Sequence, residues 1–235
     1  MLRPSKGNMY DFINYTWNPI KGRCNYRCIY CNLRHIIQKE IRLFEKELHQ
    51  DLGEDNLIFV GSSTDMFSEQ VADEWIIRVL EHCRKFNNTY LFQTKNPKRF
   101  IQLLDCFPIN TIFGTTLESD ELNPEISNAP SIQERVDAMR KLDVERKMVT
   151  IEPIFSFNHS RMIRNIKDIR PEWINIGADS NKSKEYEIEE PSQEEIVALI
   201  NDLRKMTKVK IKSNLTRVLN NVAEKEKNMD DGHSR

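Results

Sequence analysis

The stretch "NLIFVGSSTDMFSEQVADEWIIRVLEHCRKFNNTYLFQT", residues 56–94, decides the fold. Its ends, "NLIFVGSS" (56–63) and "NTYLFQT" (88–94), are short, apolar and rich in β-branched and aromatic residues, as strands covered on both faces are. Between them, "VADEWIIRVLEHCRKF" (71–86) places Val71, Trp75, Val79 and Cys83 four residues apart, with Ile76 and Leu80 alongside. That spacing gives a helix one apolar face. A strand, a helix and a second strand make a crossover between parallel neighbours.

The same alternation continues in both directions. Upstream, "DFINYTW" (11–17) reads as a strand. Downstream, "NTIFGTT" (110–116), "KMVTIEP" (147–153), "EWINIGA" (172–178) and "KVKIKS" (208–213) extend the series. The helices between are "NPKRFIQLLDCF" (96–107), "SIQERVDAMRKL" (131–142), "NHSRMIRNIKDI" (158–169) and "SQEEIVALINDLRKM" (192–206). Ser131 with Glu134, and Ser192 with Glu195, have capping-box spacing and mark two helix starts. No Gly-rich phosphate turn follows the first strand, where Gly22 stands alone. The expected fold is therefore α/β, a partial TIM-type barrel of about six parallel β/α units, rather than an open dinucleotide-binding sheet. A single domain is expected over residues 1–219, then a polar, disordered tail at 220–235.

Composition narrows the class. Hydrophobic residues make up 39% and charged residues 30%, which fits a soluble domain with a charged surface. Lys and Arg number 35 against 36 Asp and Glu, so no global basic field points to nucleic acid, although a local strip remains open. No run approaches the roughly 18 apolar residues of a membrane span, and the first residues carry no apolar signal core. A cytoplasmic protein without membrane attachment is expected.

Five cysteines at uneven spacing argue against a disulfide framework. Cys83 and Cys106 sit in apolar segments and read as small buried hydrophobes. The other three crowd into "WNPIKGRCNYRCIYCNLRHI" (17–36), just after the first strand and at the functional rim of a barrel. A structural zinc wants four closed ligands; His35 offers a fourth, but a second ligand pair is missing. Cys28 and Cys31 alone have thioredoxin-type spacing, which leaves Cys24 surplus. A cubane iron–sulfur cluster wants four outer ligands, so three cysteines leave one iron open. Cys24, Cys28 and Cys31 follow Cys-x3-Cys-x2-Cys with Tyr30 directly before the last, a more specific signal than one Cys-x2-Cys. Lys21, Arg23, Arg27 and Arg34 surround this loop, able to contact phosphates or to offset anionic thiolates.

That motif resembles the signature of the radical S-adenosylmethionine (SAM) superfamily, Cys-x3-Cys-x-aromatic-Cys after the first barrel strand. The likeness extends to "TWNPIKGRC", "GSSTDMFSEQVADEW", "FQTKNPKRF", "FGTTLES", "TIEPIF" and "WINIGADS". In their order these resemble the strand-end motifs of a phage-type radical-SAM-like family of mostly undefined function, distantly similar to spore photoproduct lyase. The resemblance implies that Cys24, Cys28 and Cys31 ligate a [4Fe–4S] cluster whose open iron takes the amino and carboxylate groups of SAM. One electron then splits the sulfonium, and a 5′-deoxyadenosyl radical takes hydrogen from a substrate.

The resemblance also implies a SAM-binding set. It comprises Tyr30 in the cysteine loop, Gly61, Ser62, Ser63, Thr64 and Asp65 toward the amino group, and Thr94 after the third strand. Thr116 and Glu118 would face the ribose, and Gly177 would let the backbone approach the adenine. Lys95 and Glu152 are the catalytic candidates. The first is a rim lysine able to meet an anionic group; the second is a carboxylate in an apolar strand, costly there unless paired. Glu152 is also placed to anchor Lys95 or Arg135 across the barrel. Arg135 itself reads as a surface residue and a lesser partner for the SAM carboxylate. Asp179 is a substrate contact, and Lys210 and Lys212 line the barrel mouth or face solvent.

Two functions follow. The first is a radical SAM enzyme, a lyase or transferase with an external electron donor. Its substrate would be a nucleotide or nucleic-acid base, with a partner protein adding recognition. The second is a non-enzymatic iron–sulfur or zinc-binding module within a larger complex.

Overall fold

The computed structural model describes residues 2–5, 9–37, 39–180 and 189–219, and in it the alternation becomes an eight-stranded sheet. β1 (Arg3–Pro4) pairs antiparallel with β2 (Tyr15–Trp17), while β3 (Ile20–Lys21) and β4 (Arg42–Leu43) form a separate two-stranded ribbon. β5 (Leu57–Val60), β6 (Thr89–Thr94), β7 (Thr111–Thr116), β8 (Lys147–Ile151), β9 (Trp173–Ile176) and β10 (Lys208–Ile211) then follow β2. The order is β1-β2-β5-β6-β7-β8-β9-β10, with every pair after the first parallel. The crossovers carry α1 (Asp73–Cys83), α2 (Lys98–Gln102), α3 (Ile132–Lys141), α4 (His159–Ile169) and α5 (Gln193–Arg204). This is the expected partial TIM-like α/β fold. The tail at 220–235 lies outside the described residues. Among the described residues no helix is long and apolar enough to cross a membrane.

Alternation along the strands sorts two apolar faces. Ile58, Phe92, Phe113, Val149 and Ile174 face the helices, packing with Val79, Val136, Ile166 and Leu199 in the main core. Phe59, Leu91, Ile112, Met148 and Trp173 face the inside, where Tyr10 and Ile13 cover them. Both expected capping boxes form, at Ser131–Glu134 and Ser192–Glu195.

Two expected elements are shorter than their sequence pattern. Only Tyr15–Trp17 of the 11–17 segment pairs as a strand. Residues 10–13 instead turn back, with Ile13 N donating to Tyr10 O at 3.1 Å, and fill the inner face. The Tyr10 hydroxyl lies 2.7 Å from both Gln93 Oε1 and Thr150 Oγ1. Helix 96–107 is split into α2 and a 3-10 turn at Leu104–Cys106. Phe107 precedes Pro108, which forces extended backbone (ψ 150°) and ends the helix.

The β3–β4 ribbon had no sequence signal. It depends on Gly22, whose φ of +145° disfavours side chains. A Cβ there would lie 2.4 Å from the Ile41 Cα, so glycine alone lets residues 40–41 pass over the cysteine loop.

Candidate active site

Because β5 to β10 are parallel, the residues just after each strand converge on one edge of the sheet. The loop from Gly22 to Ile37 folds over that edge. Cys24, Cys28 and Cys31 line a single cavity of about 370 Å³, together with Ser63 from the end of β5. Cys28 is buried, its Sγ 3.1 Å from Ser127 Oγ, among Tyr26, Tyr30 and Phe155. Burial, and then the Asp65 charge, pushes the Cys24 thiol up to about 12; burial also raises Cys31. Among the described residues, no three His, Cys, Asp or Glu side chains gather closely enough to hold a single metal ion. His35 lines the same cavity.

Beside the thiols, Glu118 is fully buried and collects three donors. Lys95 Nζ lies 2.5 Å from Oε1, Arg135 Nη1 lies 2.7 Å from Oε2, and the Tyr30 hydroxyl also donates to Oε1. Burial alone would raise this carboxyl, but the Lys95 and Arg135 charges outweigh it and hold it at about 2. Arg135 is 1% exposed, against the expectation of a surface residue. Its burial is possible because Glu118 balances the charge while Nε and Nη1 donate to Pro130 O and Thr116 O. Arg135 Nη2 has no partner among the described residues. The anchor for Lys95 and Arg135 is thus Glu118, where the sequence offered Glu152.

Glu152 has its own partners. Its Oε2 lies 2.6 Å from Lys212 Nζ, and Oε1 accepts from Asn214 Nδ2 at 2.8 Å. Gly177 makes room for both side chains: a Cβ there would lie 2.7 Å from Glu152 Oε1 and 2.8 Å from Asn214 Oδ1. Gly177→Ala is therefore expected to lower stability by about 1–3 kcal/mol, the usual cost of overpacking. A lower urea midpoint with an unchanged slope is the readout. Lys212 also lies over the Tyr10 ring at 4.9 Å, and Lys210 over Phe12 at 4.4 Å, so both lysines face the inner side.

The turn after β5 is braced from within. Asn18 Oδ1 accepts from Ser63 N and Ser63 Oγ at 2.8 and 2.9 Å, and Asn18 Nδ2 donates to Ser62 Oγ at 3.1 Å. Gly61 begins this turn, and the Thr64 hydroxyl ties it to the cysteine loop by donating to Gly22 O at 2.7 Å. Asp65 accepts from Thr94 Oγ1 at 2.7 Å, Lys95 N at 2.8 Å and Phe67 N at 3.1 Å, which locks the ends of β5 and β6 together. Burial raises its carboxyl despite these bonds. Thr116 Oγ1 accepts from Gln93 Nε2 at 3.0 Å. Asp179 is half-buried at the far side, its carbonyl accepting from Arg217 at 3.1 Å.

The structure therefore brings Tyr30, Lys95 and Glu118 together beside the thiols, while the Thr116 hydroxyl joins Gln93 inside the barrel. Glu152 and Gly177 form a second group with Lys212 and Asn214. Sequence reasoning missed Asn18, Ser127 and Asn214 as members. Asn18 had a signal, since it directly follows the first strand within "TWNPIKGRC". Ser127 lies in a loop and Asn214 in the short 3-10 turn Ser213–Leu215, and neither has a pattern to mark it.

The sequence family described as "Protein of unknown function (DUF5131)" matches residues 9–197. The chain belongs to this family. No curated protein matches the DUF5131 chain by sequence. Its fold is similar to that of solved enzymes. A cysteine-to-alanine variant of spore photoproduct lyase with dinucleoside spore photoproduct gives a TM-score of 0.62 at 12% identity, over 88% of this chain and 80% of that one. A variant with bound AdoMet and the same dinucleoside gives 0.58 at 14% identity, over 86% and 64%. A radical SAM methyltransferase from Sphaerobacter thermophilus gives 0.58 at 16% identity, over 86% and 67%. At these identities the likeness is one of fold.

Proposed function

We propose that this DUF5131 chain is a radical SAM enzyme in which Cys24, Cys28 and Cys31 would hold a [4Fe–4S] cluster. The observation that carries the reading is their shared cavity at the strand-end edge. The donor set fits the group. Three soft sulfur ligands on one cavity would leave one iron of a cubane cluster open, whereas a structural zinc wants four closed ligands. When bound, the cluster and SAM would supply reductive cleavage of the sulfonium and a 5′-deoxyadenosyl radical.

The chain's own residues would bind and orient. Arg23, Arg27 and Arg34 line the cysteine cavity and would offset thiolate charge. Ser62 and Ser63, held by Asn18, would accept from the SAM amino group at the end of β5. Lys95 would meet the SAM carboxylate, with Glu118 and Tyr30 fixing its position. Arg135 Nη2 carries a further donor on the same side. Thr116 and Glu118 would stand toward the ribose. Glu152, Lys212 and Asn214 would face the substrate with donors and acceptors at fixed spacing, as a nucleobase edge requires. An external electron donor and a cytoplasmic setting belong to this reading.

The test is anaerobic reconstitution with iron and sulfide, followed by dithionite and SAM. About four irons per chain and accumulating 5′-deoxyadenosine are expected. Iron binding without SAM cleavage would make the chain a binding module instead. One tightly held zinc would defeat the cluster.

A further inference from the structure

Next to the cysteine cavity lies a second one, about 440 Å³, beside the β3–β4 ribbon. The two share Gly22, Leu33, Ile37 and Ser63 as walls, so they are adjoining parts of one depression. Arg3, Lys21, Lys39 and Arg42 line the second cavity, with Glu40 as its acidic member. The chain as a whole balances 35 basic against 36 acidic residues, so a four-to-one ratio is a local concentration. The cations are also crowded and positioned. Burial, and then the Arg3 charge, lowers the Lys21 ammonium. Lys21 and Arg42 sit 4.8 and 4.6 Å from the centre of the Phe44 ring. Lys21 is partly balanced by Glu47 at 2.6 Å. Ile36, 74% exposed, adds an apolar wall.

Cations in the cysteine cavity have a local purpose in offsetting thiolates. Arg3, Lys39 and Arg42 line the neighbouring groove instead, exposed and concentrated where they can meet an anionic ligand. A chain of phosphates running along the groove accounts for this second set. The size of the depression limits what can enter. Two adjoining spaces of about 440 and 370 Å³ admit a nucleotide and its phosphates, while a base inside a duplex stays out of reach. We propose that the groove beside the β3–β4 ribbon is a phosphate-binding track for single-stranded nucleic acid, delivering one nucleotide to the cysteine-lined cavity. Delivery rests on the reading of that cavity as the reaction site; binding along the groove does not.

Fluorescence anisotropy with the full chain tests it, using labelled single-stranded DNA, single-stranded RNA and duplex DNA at several salt concentrations. Single strands should bind more tightly than duplex, and affinity should fall as salt rises. Lys39→Glu with Arg42→Glu should weaken single-strand binding roughly tenfold or more. The slope of log affinity against log salt should also become shallower, by about 0.7 for each phosphate left without its cation. Arg140→Glu with Lys141→Glu, on exposed α3 positions away from the groove, should change affinity less than about twofold, as a control outside the track. Lys39→Gln with Arg42→Gln, a milder pair, keeps the test open if charge reversal unfolds the ribbon. No binding at low salt, tighter duplex binding, or equal loss in the α3 control overturns the proposal. A chain that cleaves SAM but ignores every strand keeps the enzyme reading and loses this one. A chain that grips strands through Lys39 and Arg42 yet never cleaves SAM does the reverse.

Discussion

Cys28→Ala is expected to abolish 5′-deoxyadenosine formation in the reconstituted chain and to leave it with little bound iron. Of the three thiols Cys28 is the most enclosed, 6% exposed, packed by Tyr26, Tyr30 and Phe155, and 3.1 Å from Ser127 Oγ. No water-accessible substitute can replace a thiolate at that depth. Alanine would leave two sulfur ligands for four irons, and cluster assembly fails before SAM is reached. Cys24→Ala and Cys31→Ala should behave alike, although both side chains are less buried. The contrast is Cys83→Ala. Cys83 is 0% exposed in the core, far from the loop in sequence and the last residue of α1. Its loss should cost about 1 kcal/mol of packing and leave iron content and SAM cleavage intact. Iron by chelator assay and 5′-deoxyadenosine by chromatography, on the same four preparations, decide the matter. Near-normal product from Cys28→Ala, or cluster loss in Cys83→Ala, would break the assignment.

The contrast between these cysteines shows what a sequence carries and what it hides. The Cys24, Cys28, Cys31 spacing is local, so its signal survives without a fold. Strands such as Thr111–Thr116 are legible for the same reason: each apolar run must be buried on both faces. The Tyr10–Ile13 plug is not legible, because burial against Phe59 and Trp173 gives it the same apolar look as a strand. The β3–β4 ribbon is two residues wide on each side and depends on the approach of Gly22 to Ile41, a proximity no periodicity records. Charge pairing is the least legible of all. Arg135 sits on an amphipathic helix where a cation normally faces water. Only the fold brings Glu118 and Lys95, from the ends of two strands, to within reach of it. Glu152 was recognisable as costly in an apolar strand, but its partner Lys212 lies 60 residues further on.

That buried charge cluster carries the largest stability effect. Glu118→Gln, nearly isosteric, is expected to destabilise the chain by about 3–5 kcal/mol, the range for removing one member of a buried ion pair. Glutamine can still accept hydrogen bonds, but it leaves Lys95 and the 1%-exposed Arg135 without a counter-charge. At about 2–4 °C per kcal/mol for a domain of this size, the melting temperature should fall by roughly 10 °C at neutral pH. The pH dependence provides a second, independent sign. The Glu118 carboxyl is held at about 2, below its ordinary 4.5, so the folded state favours the charged form. Its contribution is therefore fully present above about 4.5 and is lost as pH falls toward about 2. Melting curves for the two proteins should lie furthest apart at neutral pH and converge as the medium is acidified through that window. The difference between them isolates this carboxyl from the other acidic groups that titrate in parallel. A glutamine variant as stable as the wild type at pH 7, or a gap that stays constant down to pH 3, would mean that Lys95 and Arg135 are balanced by something other than Glu118.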